Sequence, residues 1–291
     1  MSERRELPPL PDALPLPVVD NHTHLDIGAA SRDSWPHHET VPDDDAELVR
    51  LIEDAARVGV TRAVQVGCDL PSARWTVELV QRQPRLLGAV ALHPNEAPRL
   101  AERGELEDAY TEIAQLARRP RIVCVGETGL DYFRTGPEGR AVQQESFRRH
   151  IALAKELDVA LQIHDRDAHD DVLRILEEEG APRRTVFHCF SGDAAMARRC
   201  LEAGYYLSFA GTVTFKNAQG LRDALAVTPL EHLQVETDAP YLTPVPYRGR
   251  PNASYLVPHT VRAMAQVLGV DVPSLCRALD ETAEKLYGPW G

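Results

Sequence analysis

His22-Thr23-His24 sets two imidazoles two residues apart, directly after the apolar pair Val18-Val19 and the polar pair Asp20-Asn21. On an extended strand, residues i and i+2 project to the same side, so His22 and His24 can aim at one point. Convergence of that kind usually serves a divalent cation. An isolated His-x-His also occurs in surface loops, so the metal reading needs further donors from the rest of the chain. They recur after other short apolar runs: Glu127 in Gly126-Glu127-Thr128-Gly129-Leu130-Asp131, His164 in Ile163-His164-Asp165-Arg166, His188 in His188-Cys189-Phe190-Ser191-Gly192, and Asp238 in Glu236-Thr237-Asp238-Ala239-Pro240. Singly, each has a plainer account: a histidine can be hydrogen-bonded in a core, and a carboxylate can cap the next helix. Burying four histidines and two carboxylates together without a cation would be costly. Six N/O donors exceed the three or so protein ligands of one catalytic zinc. They suit two divalent ions sharing a carboxylate, about 3.5–4 Å apart, able to polarise a phosphoryl oxygen and activate water. Mg, Mn, Zn and Co all accept such donors.

These donors must be held at one end of one scaffold. Eight short, nearly continuous apolar runs at 17–23, 62–68, 86–92, 122–127, 159–164, 185–189, 205–210 and 233–237 read as parallel strands buried on both faces. Amphipathic segments at 43–58, 72–83, 106–118, 137–157, 168–179, 194–203 and 219–227 alternate with them, and two more helices, 254–268 and 272–286, close the chain. Negative charge after Pro42 marks a helix start, and Gly59, Gly180, Gly204 and Gly269 fall where helices should stop. Strict alternation of eight strands with helices is the pattern of an α/β (β/α)8 TIM barrel, whose active site lies at the C-terminal ends of the strands. A doubly wound sheet would normally carry a glycine-rich phosphate loop after its first strand, where this chain has His-Thr-His. Residues 18–291 are therefore expected to form a single barrel domain behind a flexible proline-rich lead-in, 1–17. The connection 27–42, with Trp35 and the pair His37-His38, is long for its place and suits either a lid or a solvated insertion.

Composition narrows the setting. Forty-four acidic against 32 basic side chains leave a formal charge of -12, which argues against broad electrostatic capture of duplex nucleic acid. A phosphate-reading cleft remains compatible, because bound metal brings its own positive charge. Five widely spaced cysteines without a C-x-x-C pair fit a reducing cytoplasm. No apolar run approaches the ~20 residues of a membrane span, and the first 17 residues lack the apolar stretch of a secretory signal.

In their order and wording the five motifs resemble the TatD family of metal-dependent hydrolases, from about Val18 to the C-terminus. The resemblance implies a divalent-metal deoxyribonuclease acting mainly as a 3′–5′ exonuclease on single-stranded or damaged DNA, with no membrane and no obligate protein partner. It implies that His22, His24, Glu127 and Asp238 hold one ion. Glu127 would bridge to a second held by His164 and His188, and Asp238 would serve as general base for the attacking water. His93 in Leu92-His93-Pro94 resembles a family histidine near the substrate phosphate. Arg166 suits either a phosphate or an orienting role toward Asp165. Lys216 and Arg248 match loops that meet substrate, or form loop-stabilising salt bridges. Two departures stand out: Asn95 where many members carry histidine, and His150 where glutamine is common. An esterase, lactonase or deacylase with the same metal pair, for example one acting on aminoacyl-tRNA, is the rival enzyme; a non-catalytic barrel with structural metals is the rival from outside enzymology.

Overall fold

The computed structural model describes residues 6–27 and 45–290. Apolar strands buried on both faces assemble into one eight-stranded parallel sheet in chain order: β1 (Val18–Thr23), β2 (Val60–Gly67), β3 (Leu86–Val90), β4 (Ile122–Asp131), β5 (Ala160–Arg166), β6 (Thr185–Phe187), β7 (Tyr206–Phe209) and β8 (Leu233–Val235). The barrel closes where the chain beyond β8 returns to β1. Thr23 and Ala239 form a parallel bridge, Asp238 N donates to His22 O at 3.0 Å, and His24 N donates to Ala239 O at 2.8 Å. The buried Asp20 carboxylate completes this seam by accepting from Thr237 N (2.9 Å) and Thr237 Oγ1 (2.6 Å).

Ten helices surround the sheet among the described residues: α1 (Asp45–Arg57), α2 (Leu70–Arg82), α3 (Glu96–Glu102), α4 (Leu106–Leu116), α5 (Pro137–Leu157), α6 (His169–Glu179), α7 (Ala194–Glu202), α8 (Gln219–Ala226), α9 (Val257–Leu268) and α10 (Val272–Tyr287). Short acceptor side chains start several of them. The Asp69 carboxylate accepts from Ser72 N ahead of α2, and that of Asp193 accepts from Ala195 N and Met196 N ahead of α7. The alternation expected of a TIM barrel is present, with two kinds of difference. β6 and β8 stop before His188 and Glu236, whereas β4 runs on to Asp131. The helix α3 has no counterpart among the expected helices. Pro98 lies in its first turn, where a missing N–H leaves no intrahelical bond unmade.

Strand alternation divides the apolar core in two. One face of the sheet (Val64, Val66, Leu87, Ala89, Cys124, Ala160, Val186) meets Leu286 and Tyr287 of α10 and Trp290 beyond it. The other face packs against the surrounding helices. The lead-in, expected to be flexible, is tied down from Glu6 to Pro17. Leu14 is buried, Tyr255 Oη donates to Pro8 O at 2.5 Å, and Arg262 donates to Asp12 O and Ala13 O. Its alternating Leu and Pro residues present apolar side chains to the core while arginines satisfy its carbonyls. The expected lid with Trp35, His37 and His38 lies, apart from Ile27, outside the described residues, as does the acidic helix start at 43–44. All five cysteines are free thiols. Among the described residues, no helix is long and apolar enough to cross a membrane.

Candidate metal centre and active site

Strand ends deliver the predicted donors to one cup. β1 brings His22, with His24 just beyond it; β4 brings Glu127; β5 brings His164; the turns after β6 and β8 bring His188 and Asp238. A bulge in β1 between Asp20 and Thr23 re-aims that strand as it reaches the cup. β4 and β5 must approach closely here: a Cβ on Gly129 would stand 2.1 Å from the His164 carbonyl oxygen.

Glu127 sits at the centre and its two oxygens face different partners. Oε1 lies 3.7 Å from His22 Nε2 and 3.5 Å from His24 Nε2. Oε2 lies 2.8 Å from His188 Nε2 and 2.9 Å from His164 Nδ1. Asp238 Oδ1 joins the first group, 3.4 Å from His24 Nε2 and 3.9 Å from His22 Nε2. Donors bound to a common ion at about 2.0–2.2 Å stand roughly 3–3.5 Å apart, close to this spacing. By these distances the residues fall into two sets that share one carboxylate. His22, His24 and Asp238 are placed to hold an ion, and Glu127 joins His22 with His188, His24 with Cys68, and His93 with His164 in further groups that could do so.

The far side of each ring decides what it presents to the cup. His22 Nδ1 donates to Gln162 Oε1 at 2.9 Å, because the Gln162 amide nitrogen is committed to Asn21 O and Tyr287 Oη. His24 Nδ1 donates to Val66 O at 3.1 Å, and His188 Nδ1 faces Glu236 Oε1 at 3.3 Å. In the neutral tautomers so fixed, three bare Nε2 atoms face inward, as metal ligands do. His22 Nε2 and His24 Nε2 are only 3.1 Å apart; two lone pairs that close repel unless a cation or a proton lies near them. His164 is turned the other way: Asp131 Oδ2 lies 3.4 Å from its Nε2, leaving Nδ1 for the cup.

Electrostatics state the same demand. Burial alone would lower the pKa of His24, but the Asp238 hydrogen bond and the Glu127 charge lift it to about 9. Burial likewise opposes charge on His188, yet Glu127 and Glu236 raise it well above the ordinary value. Burial would raise Glu127, but His188 and His93 hold it well below the carboxylate range. Without a cation the cluster draws in protons; a divalent ion supplies the same charge.

His93 behaves differently. Asn95 N donates to its Nδ1 at 3.0 Å, so the neutral ring carries its proton on Nε2, 3.9 Å from Glu127 Oε2. It offers the cup a donor and no lone pair, and burial pushes its pKa down to about 3. Arg166, Lys216 and Arg248 are not in the cluster. Arg166 is two residues beyond His164 with its guanidinium over the Phe133 ring; Asp165 is held by His169 Nδ1 at 2.7 Å, so Arg166 does not orient it. Lys216 is exposed, and so is Arg248, which lies over Phe215; among the described residues neither forms a salt bridge.

Several functional neighbours escaped the sequence reading: Asp131 behind His164, Gln162 behind His22, Glu236 behind His188, and Cys68, whose Sγ donates to Glu127 Oε1 at 3.1 Å. A usable signal existed for two of them, since Gln162 and Glu236 each stand two residues before a predicted donor.

Comparison with known proteins agrees with this geometry. The model of the TatD related DNase family matches residues 19–288. The chain is 45% identical over 276 residues to an uncharacterized metal-dependent hydrolase TatD of Mycobacterium tuberculosis, covering 93% of this chain and 98% of that protein. Among solved structures it resembles YJJV, a TatD homolog from Escherichia coli K12, with a TM-score of 0.80 and 25% identity over 94% of this chain and 98% of that one. The barrel itself is shared more widely. A phosphotriesterase homology protein from Escherichia coli superposes with a TM-score of 0.71 at 12% identity, over 94% of this chain and 99% of that one. A family match from β1 through α10 takes in every strand end that feeds the cup: the chain belongs to the TatD family of metal-dependent hydrolases.

Proposed function

We propose that the protein is a deoxyribonuclease that removes nucleotides from the 3′ end of single-stranded or damaged DNA in the cytoplasm. The observation that carries this reading is the division of Glu127, with Oε1 toward His22 and His24 and Oε2 toward His164 and His188. That arrangement suits two divalent ions, drawn from Mg, Mn, Zn or Co. Bound there, such ions supply Lewis acidity at phosphorus and an acidified water.

The chain's own groups then have distinct tasks. Asp238 is the more open carboxylate, its side chain 15% exposed against 6% for Glu127, so water reaches it. Burial would raise its pKa, but the His24 hydrogen bond and the neighbouring histidines lower it, keeping Asp238 ionised and able to take the proton of the attacking water. His93 Nε2–H is aimed to donate to a phosphate oxygen. Arg166, Lys216 and Arg248 place positive charge around the mouth, where an anionic strand would enter. A mouth of this kind favours phosphodiesters over neutral esters or lactones.

The test uses single-stranded DNA labelled at either end, with Mg or Mn, with chelator, and with Asp238→Ala. Shortening from the 3′ end that needs both metal and Asp238 supports the proposal. Failure of folded, metal-loaded protein to cleave DNA, together with hydrolysis of esters, lactones or aminoacyl-tRNA, would replace it with the acyl-hydrolase reading.

A further inference from the structure

Phe133 is anomalous for its place. It is 62% exposed, one of three large hydrophobic side chains standing in solvent among the described residues. It sits two residues past the end of β4, on the same side of the barrel as the cup. The ring is nevertheless organised: the Arg166 guanidinium carbon lies 4.0 Å from its centroid, within the range of a cation–π pair. The backbone on either side is pinned. Asp131 accepts from Arg134 N at 2.8 Å and from Asn95 Nδ2 at 2.9 Å, and Tyr132 Oη donates to Asp171 Oδ2 at 2.7 Å. Arg140 stacks on Tyr132 in turn, 4.2 Å from its centroid. A fixed, solvent-facing aromatic backed by a guanidinium is thus held at the mouth of a polar cup.

Its distance from the chemistry is short. Arg166 follows His164 by two residues on β5, so both project to the same side, separated by roughly 6.6 Å along the strand. Across the mouth the same pairing recurs after β7 and β8, where the Arg248 guanidinium lies 4.3 Å from the Phe215 centroid. Flat π-faced ligands bearing negative charge match such pairs: the ring takes the ligand face and the guanidinium takes the charge.

We propose that Phe133, backed by Arg166, is a stacking platform for the nucleobase beside the scissile phosphate. The proposal rests on the nuclease reading and assigns it a base-contacting residue. Stacking accepts any base, so the platform would favour unpaired ends without selecting sequence.

The test pairs removal of the ring with removal of the base. A single-stranded phosphorothioate oligonucleotide, and the same strand with an abasic site at either nucleotide flanking the terminal linkage, are titrated into metal-loaded wild-type protein, Phe133→Ala and Phe133→Trp. Phe133→Ala should weaken binding of the intact strand about five- to hundredfold and leave at least one abasic strand unchanged. Phe133→Trp should restore affinity and add an emission that the intact strand quenches and the ring-insensitive abasic strand does not. Equal weakening of intact and abasic strands, or no weakening of either, overturns the platform while leaving cleavage of DNA by the wild type intact. A wild type that neither binds nor cleaves these strands overturns the nuclease reading itself, a distinguishable result.

Discussion

Two neighbourhoods of buried histidine lie side by side in this barrel and differ in one respect. In the cup, His22, His24 and His188 each engage an acceptor through Nδ1 and leave Nε2 facing a common point. Behind β3 and β4, His150 on α5 uses both nitrogens within the fold: Leu92 N donates to Nε2 at 3.3 Å, and Nδ1 donates to Thr128 Oγ1 at 3.0 Å. Burial is nearly equal, His22 being 0% and His150 1% exposed. Burial therefore does not separate a ligand from a structural histidine; the destination of the second nitrogen does.

The comparison breaks most visibly when the cup loses a donor. Asp238→Ala should lower kcat about 10²- to 10⁴-fold, the scale of a lost general base, with the melting temperature nearly unchanged. Stripping metal with a chelator should likewise abolish turnover and leave the far-UV circular dichroism of the barrel in place. Unfolding on metal removal would identify the ions as structural instead. His150→Leu should do the opposite, retaining bound metal and lowering stability by about 1–3 kcal/mol, because the Leu92 N–H loses its acceptor in the core.

His150 also carries a pH signature. Burial lowers its pKa from 6.5 to about 4, so between those values the unfolded chain binds a proton that the folded chain refuses. Its contribution is complete above pH 6.5 and is lost as pH falls toward 4. That interval corresponds to about 3 kcal/mol. A glutamine amide can accept from Leu92 N and donate to Thr128 Oγ1 as the imidazole does, without titrating. His150→Gln should leave stability at pH 7 within about 1 kcal/mol of wild type and flatten the acid limb of the denaturation profile. An unchanged acid limb would assign it to other groups.

The same contrast explains what the sequence could convey. The alternation of apolar runs with amphipathic helices was legible because buried parallel strands must be apolar on both faces. The six donors were legible because their types recur at strand ends. Partner choice was not legible. Asp20 and His22 sit two residues apart, yet one latches Thr237 and the other enters the cup, because a bulge in β1 breaks the two-residue period. Asn95, read as a departure from the family pattern, holds Asp131 at 2.9 Å while Asp131 faces His164. That chain joins positions 36 and 33 residues apart, and only the fold brings them together. Phe133 was invisible for a different reason: one aromatic in a turn has no period.

The finest test lies between the two neighbourhoods, in the group that backs the His188 imidazole. Glu236 Oε1 accepts from Cys189 N at 2.8 Å and faces His188 Nδ1 at 3.3 Å, while Oε2 takes a long bond from Asn21 Nδ2. Glu236→Gln keeps an oxygen for Cys189 and His188. It removes the charge behind the imidazole and turns an amide N–H₂ toward Asn21 Nδ2. Asn21 is poorly placed to flip in response, since its Oδ1 accepts from Tyr287 Oη at 2.5 Å. The His188 ring should stay oriented yet become a weaker donor, and metal affinity should fall about 10- to 100-fold. Equilibrium dialysis against graded free metal reads this directly, with His150→Gln as the variant expected to keep wild-type affinity. If Glu236→Gln binds metal as tightly as wild type while His188→Ala does not, the carboxylate only positions the Cys189 backbone, and the distinction between the two histidine neighbourhoods reduces to geometry alone.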